Sequence, residues 1–171
     1  GGDVGFISDS KPERDSTSVY GQGTWNFNEE WRAVFGMRYT EDEVYSEVTN
    51  FYGREGTDII ETSSEKVTGR VVVEHDFNES TMVYGSYTRG FKPGGSNLTY
   101  GREDEIAPIV VLPTFEEEIV DAYEIGLKTD LADGRVRLNA AAFYYNYEGL
   151  QYQATDPEVF QGGVGNIPES E

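Results

Sequence analysis

The stretch Tyr123–Tyr147, YEIGLKTDLADGRVRLNAAAFYYNY, decides the fold. Tyr123, Ile125 and Leu127 alternate with Glu124, Gly126 and Lys128. After the turn, Val136, Leu138, Ala140, Ala142 and Tyr144 alternate with Arg135, Arg137, Asn139, Ala141, Phe143 and Tyr145. Period-two alternation puts one set of side chains on each face of a strand. Asp133-Gly134 between the runs is a strong hairpin signal. The two runs are therefore one antiparallel hairpin, apolar on one face and charged on the other.

The same pattern recurs upstream. Val19, Gly21, Gly23, Trp25 and Phe27 share a face, and so do Trp31, Ala33, Phe35, Met37 and Tyr39 across the turn Asn28–Glu30. Gly69, Val71, Val73, His75 and Phe77 precede a turn at Asn78–Ser80, and the run Thr81–Phe91 follows it. Three hairpins are thus predicted, at about 16–39, 66–91 and 120–147. The links within pairs are short. Those between pairs, Thr40–Glu65, Lys92–Ile119 and Glu148–Gly165, are long and rich in Gly, Asp, Glu, Asn and Pro. The predicted fold class is all-β: an antiparallel up-and-down meander of about six strands, part of a transmembrane β-barrel. Such barrels sort short turns to one end and long loops to the other. Each core run also approaches the ~9–11 residues a tilted strand needs to cross the hydrocarbon. Trp25, Phe27, Trp31 and Phe77 sit beside the short turns, where an aromatic girdle belongs, with Tyr39 and Tyr87 toward the opposite end.

Composition narrows the function. The net charge of −19, from 13 Lys+Arg and 32 Asp+Glu, argues against nucleic acid. The 13% aromatic content argues against an acidic disordered tail. There is no cysteine, and one histidine, His75, supports neither a zinc site nor a triad. No GxSxG motif occurs, and Gly90–Gly95 lacks the GxxxxGK[ST] order of a phosphate loop, so no enzyme is expected. The acidic runs Glu41–Glu43, Glu103–Glu105 and Glu116–Glu118 lack calcium-loop spacing and read as solvated loop. Asn78-Glu79-Ser80 and Asn97-Leu98-Thr99 match the glycosylation sequon by chance. Neither metal nor cofactor is expected. No run approaches the ~18 apolar residues of a membrane helix, and no signal peptide or plug domain is read in the chain.

Longer phrases carry a resemblance. YGSYTRGFKPGGSN (Tyr84–Asn97), FEEEIVDAYEIGLKTDLADGRVRLNAAAFYYNYEGLQ (Phe115–Gln151) and YGQGTWNFNEEWRAVFGMRYTED (Tyr20–Asp42) resemble hairpins of TonB-dependent outer-membrane receptors, and the closing GGVGNIPESE resembles the approach to a further strand. The resemblance implies an internal fragment of a 22-stranded barrel with a plugged lumen in the bacterial outer membrane. It implies import of a bulky nutrient such as a ferric siderophore, energised by the TonB complex through a plug and TonB box of the parent protein. The partners it implies are outer-membrane lipid, TonB and the nutrient. A passive porin-like barrel and a soluble or surface acidic β-rich binding module are the alternatives. Arg89, Phe91, Tyr100 and Tyr147, near strand ends or loops at the mouth, are the candidate substrate contacts; girdle and lumen-wall roles are the simpler reading of each. Six strands with two open edges leave backbone groups unpaired, which hydrocarbon does not tolerate, so the chain alone is expected to aggregate or need detergent.

Overall fold

The computed structural model describes residues 9–49, 57–97, 114–156 and 161–170. The strands in chain order are β1 (Asp9–Asn26), β2 (Trp31–Thr49), β3 (Thr57–Asn78), β4 (Thr81–Lys92), β5 (Gly95–Ser96), β6 (Thr114–Phe115), β7 (Glu118–Leu131), β8 (Val136–Asp156) and β9 (Gln161–Ser170). Seven of them form one antiparallel meander in the order β1-β2-β3-β4-β7-β8-β9, and β5 pairs with β6. No helix occurs among the described residues.

Short turns close one end. At Asn28 the side-chain carbonyl accepts from the backbone N–H of Glu30 at 2.9 Å and Trp31 at 2.7 Å. Asn78 does the same for Ser80 at 2.9 Å. These are Asx turns, in which the side chain replaces a missing backbone partner. Ala132, Asp133 and Gly134 turn the third hairpin with φ of 54°, 54° and 79°.

The register assembles the alternating residues into two continuous faces. Phe35 stands opposite Val71, Val71 opposite Tyr87, Tyr87 opposite Tyr123, and Tyr123 opposite Tyr144. Around this row lies an apolar face that nothing covers: Val19, Met37 and Ile125 are 67–68% exposed. Among the described residues only Ala33 and Val72 are buried hydrophobics. A soluble domain of this length would bury a large apolar core. A face of lipid-contacting side chains needs none, and an outward apolar face of this kind is what a barrel wall presents to a bilayer.

The register also yields the tilt. The apolar window is Trp31–Tyr39 in β2, Tyr123–Leu131 in β7 and Val136–Tyr144 in β8. Tyr123 is in line with Phe35, not with Tyr39, so the window has slipped four residues between β2 and β7. At ~3.4 Å per residue and ~4.8 Å per strand step, that slip over three steps to β7, or four to β8, corresponds to a tilt of roughly 35–43°. Outer-membrane barrels tilt by ~35–45°.

Several boundaries differ from those read in the sequence, and β1 already begins at Asp9 rather than at about 16. β2 and β3 run through most of Thr40–Glu65, β8 runs on to Asp156, and β9 adds a seventh strand to the sheet. Above the bilayer both faces meet water, so the apolar alternation stops while the hydrogen-bond ladder continues. The run Glu41–Glu43 is accordingly strand, with Asp42 on the opposite face from Glu41 and Glu43.

Candidate functional site: the inner wall and its infolded segment

The polar face carries a ladder of compensated charges. Arg32 binds Glu74 and, at 2.8 Å, Asp76. Tyr84 donates to Glu124, and Lys128 lies over the Tyr84 ring at 5.3 Å. Higher up, Arg14 grips the buried Asp42 carboxylate through Nε and Nη2 at 3.0 and 2.9 Å. Charge pairs on one sheet face are what a wet lumen wall accommodates and hydrocarbon does not. Arg137–Asp130, at 2.7 Å, continues the ladder at the short-turn end.

A segment from the β4–β7 connection folds onto this face. The Ser96 hydroxyl bonds that of Ser46 on β2 at 2.7 Å. The Asn97 side chain donates to Val164 O at 2.9 Å and accepts from Val164 N at 2.8 Å, as another strand would. Gln151 Nε2 donates to Pro93 O and Glu116 O, both at 3.0 Å, and Gln151 N donates to Glu118 at 2.8 Å. Asn166 donates to Glu116 O at 3.0 Å and Gly149 O at 2.7 Å, and accepts from Glu116 N at 2.8 Å. Lys66 pairs with Glu117 at 2.5 Å. Glu117 and Glu118 are therefore tied into this lattice by their carboxylates, and Glu116 by its backbone. Two glycine positions make the close approach possible. A Cβ on Gly95 would stand 2.7 Å from the Phe115 ring. Gly149 combines φ +64° with only 2.5 Å between such a Cβ and Glu117 O.

These contacts reveal the curvature. Ser96 and Asn97 are adjacent, so the Ser46 hydroxyl and the Val164 carbonyl lie within roughly 15 Å of each other. Five strand steps separate β2 from β9, about 24 Å in a flat sheet. The sheet curls toward the polar face, which is the inside.

The candidate contacts separate. Tyr147 is on the inner face of β8, in ring contact with Tyr145 at 6.3 Å. Arg89 and Phe91 share their face with Tyr87, the outward one. There Arg89 meets Asp121 at 3.5 Å and Tyr87 donates to the same carboxylate at 2.7 Å. Just beyond the row Tyr87–Tyr123–Tyr144, whose centroids are 5.2 and 6.3 Å apart, this reads as a polar outer rim. Tyr100 lies outside the described residues, as does Glu103–Glu105. The sequence marks Asn97 only as a chance sequon and does not mark Gln151 or Asn166 at all, because a side chain that imitates a strand has no spacing signature. At the opposite rim Trp25 stacks on Phe27 at 5.3 Å, and Trp31 on His75 at 4.2 Å. Among the described residues no group of acids, histidines or cysteines is arranged to hold a metal.

Comparison with known proteins agrees with this geometry. The family model described as TonB dependent receptor-like, beta-barrel, matches residues 1–170. The metal-pseudopaline receptor of Pseudomonas aeruginosa strain UCBPP-PA14 is 27% identical over 135 residues, covering 77% of this chain and 17% of the receptor. The ferric yersiniabactin uptake receptor FyuA from Yersinia pestis superposes with a TM-score of 0.73 at 21% identity, covering 95% of this chain and 23% of that one. The siderophore receptor PiuA from Acinetobacter baumannii gives 0.70 at 23% identity, covering 94% and 22%. All three are receptors and none is an enzyme. The chain thus spans about a fifth of the length of these relatives.

Proposed function

The chain belongs to the TonB-dependent receptor-like β-barrel family, whose members are outer-membrane proteins of Gram-negative bacteria, and from that premise we propose that it forms part of the wall of an active importer of metal chelates. Its seven-strand sheet then supplies about a third of a 22-stranded wall around a plugged lumen. The observation that carries the reading is the segment Pro93–Asn97 with Thr114–Glu117, bonded across the inner face from β2 to β9. Such a segment narrows the mouth of the lumen, as an importer gated at that mouth requires. The relatives receive metal–pseudopaline and ferric yersiniabactin, which supports a chelated metal as cargo.

In this reading lipid meets the outward face, the chelate passes along the inner one, and TonB energises passage through the plug of the parent protein. The test is accumulation of radiolabelled iron, nickel and zinc chelates by cells with and without the parent gene. Uptake that needs the gene and stops when the proton gradient is collapsed is the expected result. Gene-dependent uptake that survives that collapse would assign a passive barrel instead.

A further inference from the structure

Four of the six arginines on the described strands are held by carboxylates, and two are not. Arg14 is held by Asp42, Arg32 by Glu74 and Asp76, Arg89 by Asp121 and Arg137 by Asp130, and Arg135 ends the exposed hairpin turn. Arg38 and Arg70 have no carboxylate partner among the described residues. Arg38 donates to Ser18 Oγ at 3.2 Å and lies over the Tyr20 ring at 5.2 Å. Arg70 crosses Gly36, its Cγ 3.3 Å from where a Cβ would stand, so the glycine leaves room for its stem.

These two belong together. Arg38 is opposite Thr68 and Arg70 opposite Gly36, which makes them diagonal neighbours on β2 and β3, with Cβ atoms about 7 Å apart. Both point to the inner face. They line, with Tyr20, Gln22, Thr68 and Thr88, a hollow of about 480 Å³. Their level is between the outer rim at Tyr39 and the middle of the window at Phe35, on the side from which a ligand enters. In a chain with 32 acids and 13 bases, two adjacent arginines without an acid are the reverse of what composition supplies. Like charges at this separation repel, and the pair is stabilised when an anion lies between them. Two planar guanidinium forks offer bidentate donors matched to oxyanions. The hydroxyls of Thr68 and Thr88 and the Gln22 amide add neutral donors.

We propose that Arg38 and Arg70 form an anion subsite in the lumen wall that takes the free carboxylates of a metal chelate. The inference rests on the uptake reading and narrows it: the cargo is an anionic, carboxylate-bearing chelate, which a neutral chelate does not replace.

The test uses the full-length receptor in detergent and arginine-selective modification by phenylglyoxal, mapped by mass spectrometry. Ferric citrate is the anionic probe and a neutral ferric trihydroxamate the control. Ferric citrate should protect Arg38 and Arg70 while the trihydroxamate does not, with carboxylate-held Arg32 slow to react throughout. Equilibrium dialysis of labelled ferric citrate should show binding about tenfold weaker in the Arg38→Gln/Arg70→Gln variant, the loss expected of a charge-assisted contact. Equal protection by both probes, or unchanged binding in the variant, overturns the subsite. Arginines that stay unreactive without any chelate also overturn it, because the receptor's own plug carboxylates would then be the anion. The uptake reading fails separately, if cells carrying the parent gene accumulate none of the labelled metals.

Discussion

Arginine placed along β2 tests both the face assignment and the tilt. Phe35 is the midpoint of the window Trp31–Tyr39, four residues from the outer rim, or roughly 10 Å below it along the membrane normal at ~3.4 Å per residue and ~40° tilt. Its outward side chain is 43% exposed in the isolated sheet, so lipid is its neighbour. Phe35→Arg should cost about 2–4 kcal/mol more than Phe35→Ala, the range for arginine on the lipid face at the midplane. That is roughly a 30- to 700-fold change in the folding equilibrium. Val34→Arg, one residue away on the inner face, should cost less than about 1 kcal/mol relative to Val34→Ala. The decisive comparison is Tyr123, which shares a hydrogen-bond row with Phe35 but begins the β7 window at the outer rim. Tyr123→Arg should cost no more than about 1 kcal/mol over Tyr123→Ala. The assay is reversible denaturant unfolding of the full-length receptor in lipid vesicles, read by heat-modifiable gel migration. A penalty at Val34 as large as at Phe35 would refute the face assignment. Equal penalties at Phe35 and Tyr123 would refute the slipped window and the tilt drawn from it.

Other perturbations follow from individual contacts. A Cβ on Gly126 would stand 2.4 Å from the Tyr84 ring, so Gly126→Ala should displace that ring from Glu124 and cost about 1–3 kcal/mol in the same unfolding assay, whereas Gly85→Ala, with nothing within 4 Å, should cost under about 1 kcal/mol. Gly149→Ala sets a side chain against Glu117 O in a left-handed backbone, and should speed limited proteolysis between Lys92 and Glu118 while leaving barrel unfolding nearly unchanged. Gln151→Ala removes the donor shared by Pro93 O and Glu116 O, and should accelerate the same cleavage with a local cost of about 1–3 kcal/mol, measured by hydrogen exchange. Asp42→Asn removes the buried charge that Arg14 holds; because Arg14 is half exposed, water screens part of the loss, and a drop of a few degrees or less in unfolding temperature is expected.

The residues that could be read were those the bilayer constrains. Trp31–Tyr39 and Val136–Tyr144 alternate because one side of each strand meets hydrocarbon, and a one-residue slip would bury every charge. Beyond Thr40 that constraint lapses, so Glu41-Asp42-Glu43 looked like a loop although it is strand. Arg89 looked like a ligand contact because it sits near a strand end. Its register with Gly69 and Asp121 puts it on the outward face that Tyr87 shares. Arg38 and Arg70 were visible only as charges on the wet face. Their being neighbours depends on pairing β2 with β3 across the turn-distant segment 50–56, which local sequence does not specify.

By itself the sequence determined a strand meander with one apolar and one charged face, because period-two alternation and turn residues act over a few neighbours. The tertiary structure alone decided the seventh strand, the four-residue slip of the membrane window, the inward curl and the segment pinned across it. Those depend on register and on contacts between residues 30 to 70 positions apart, where hydrogen-bond geometry rather than local composition chooses the partner.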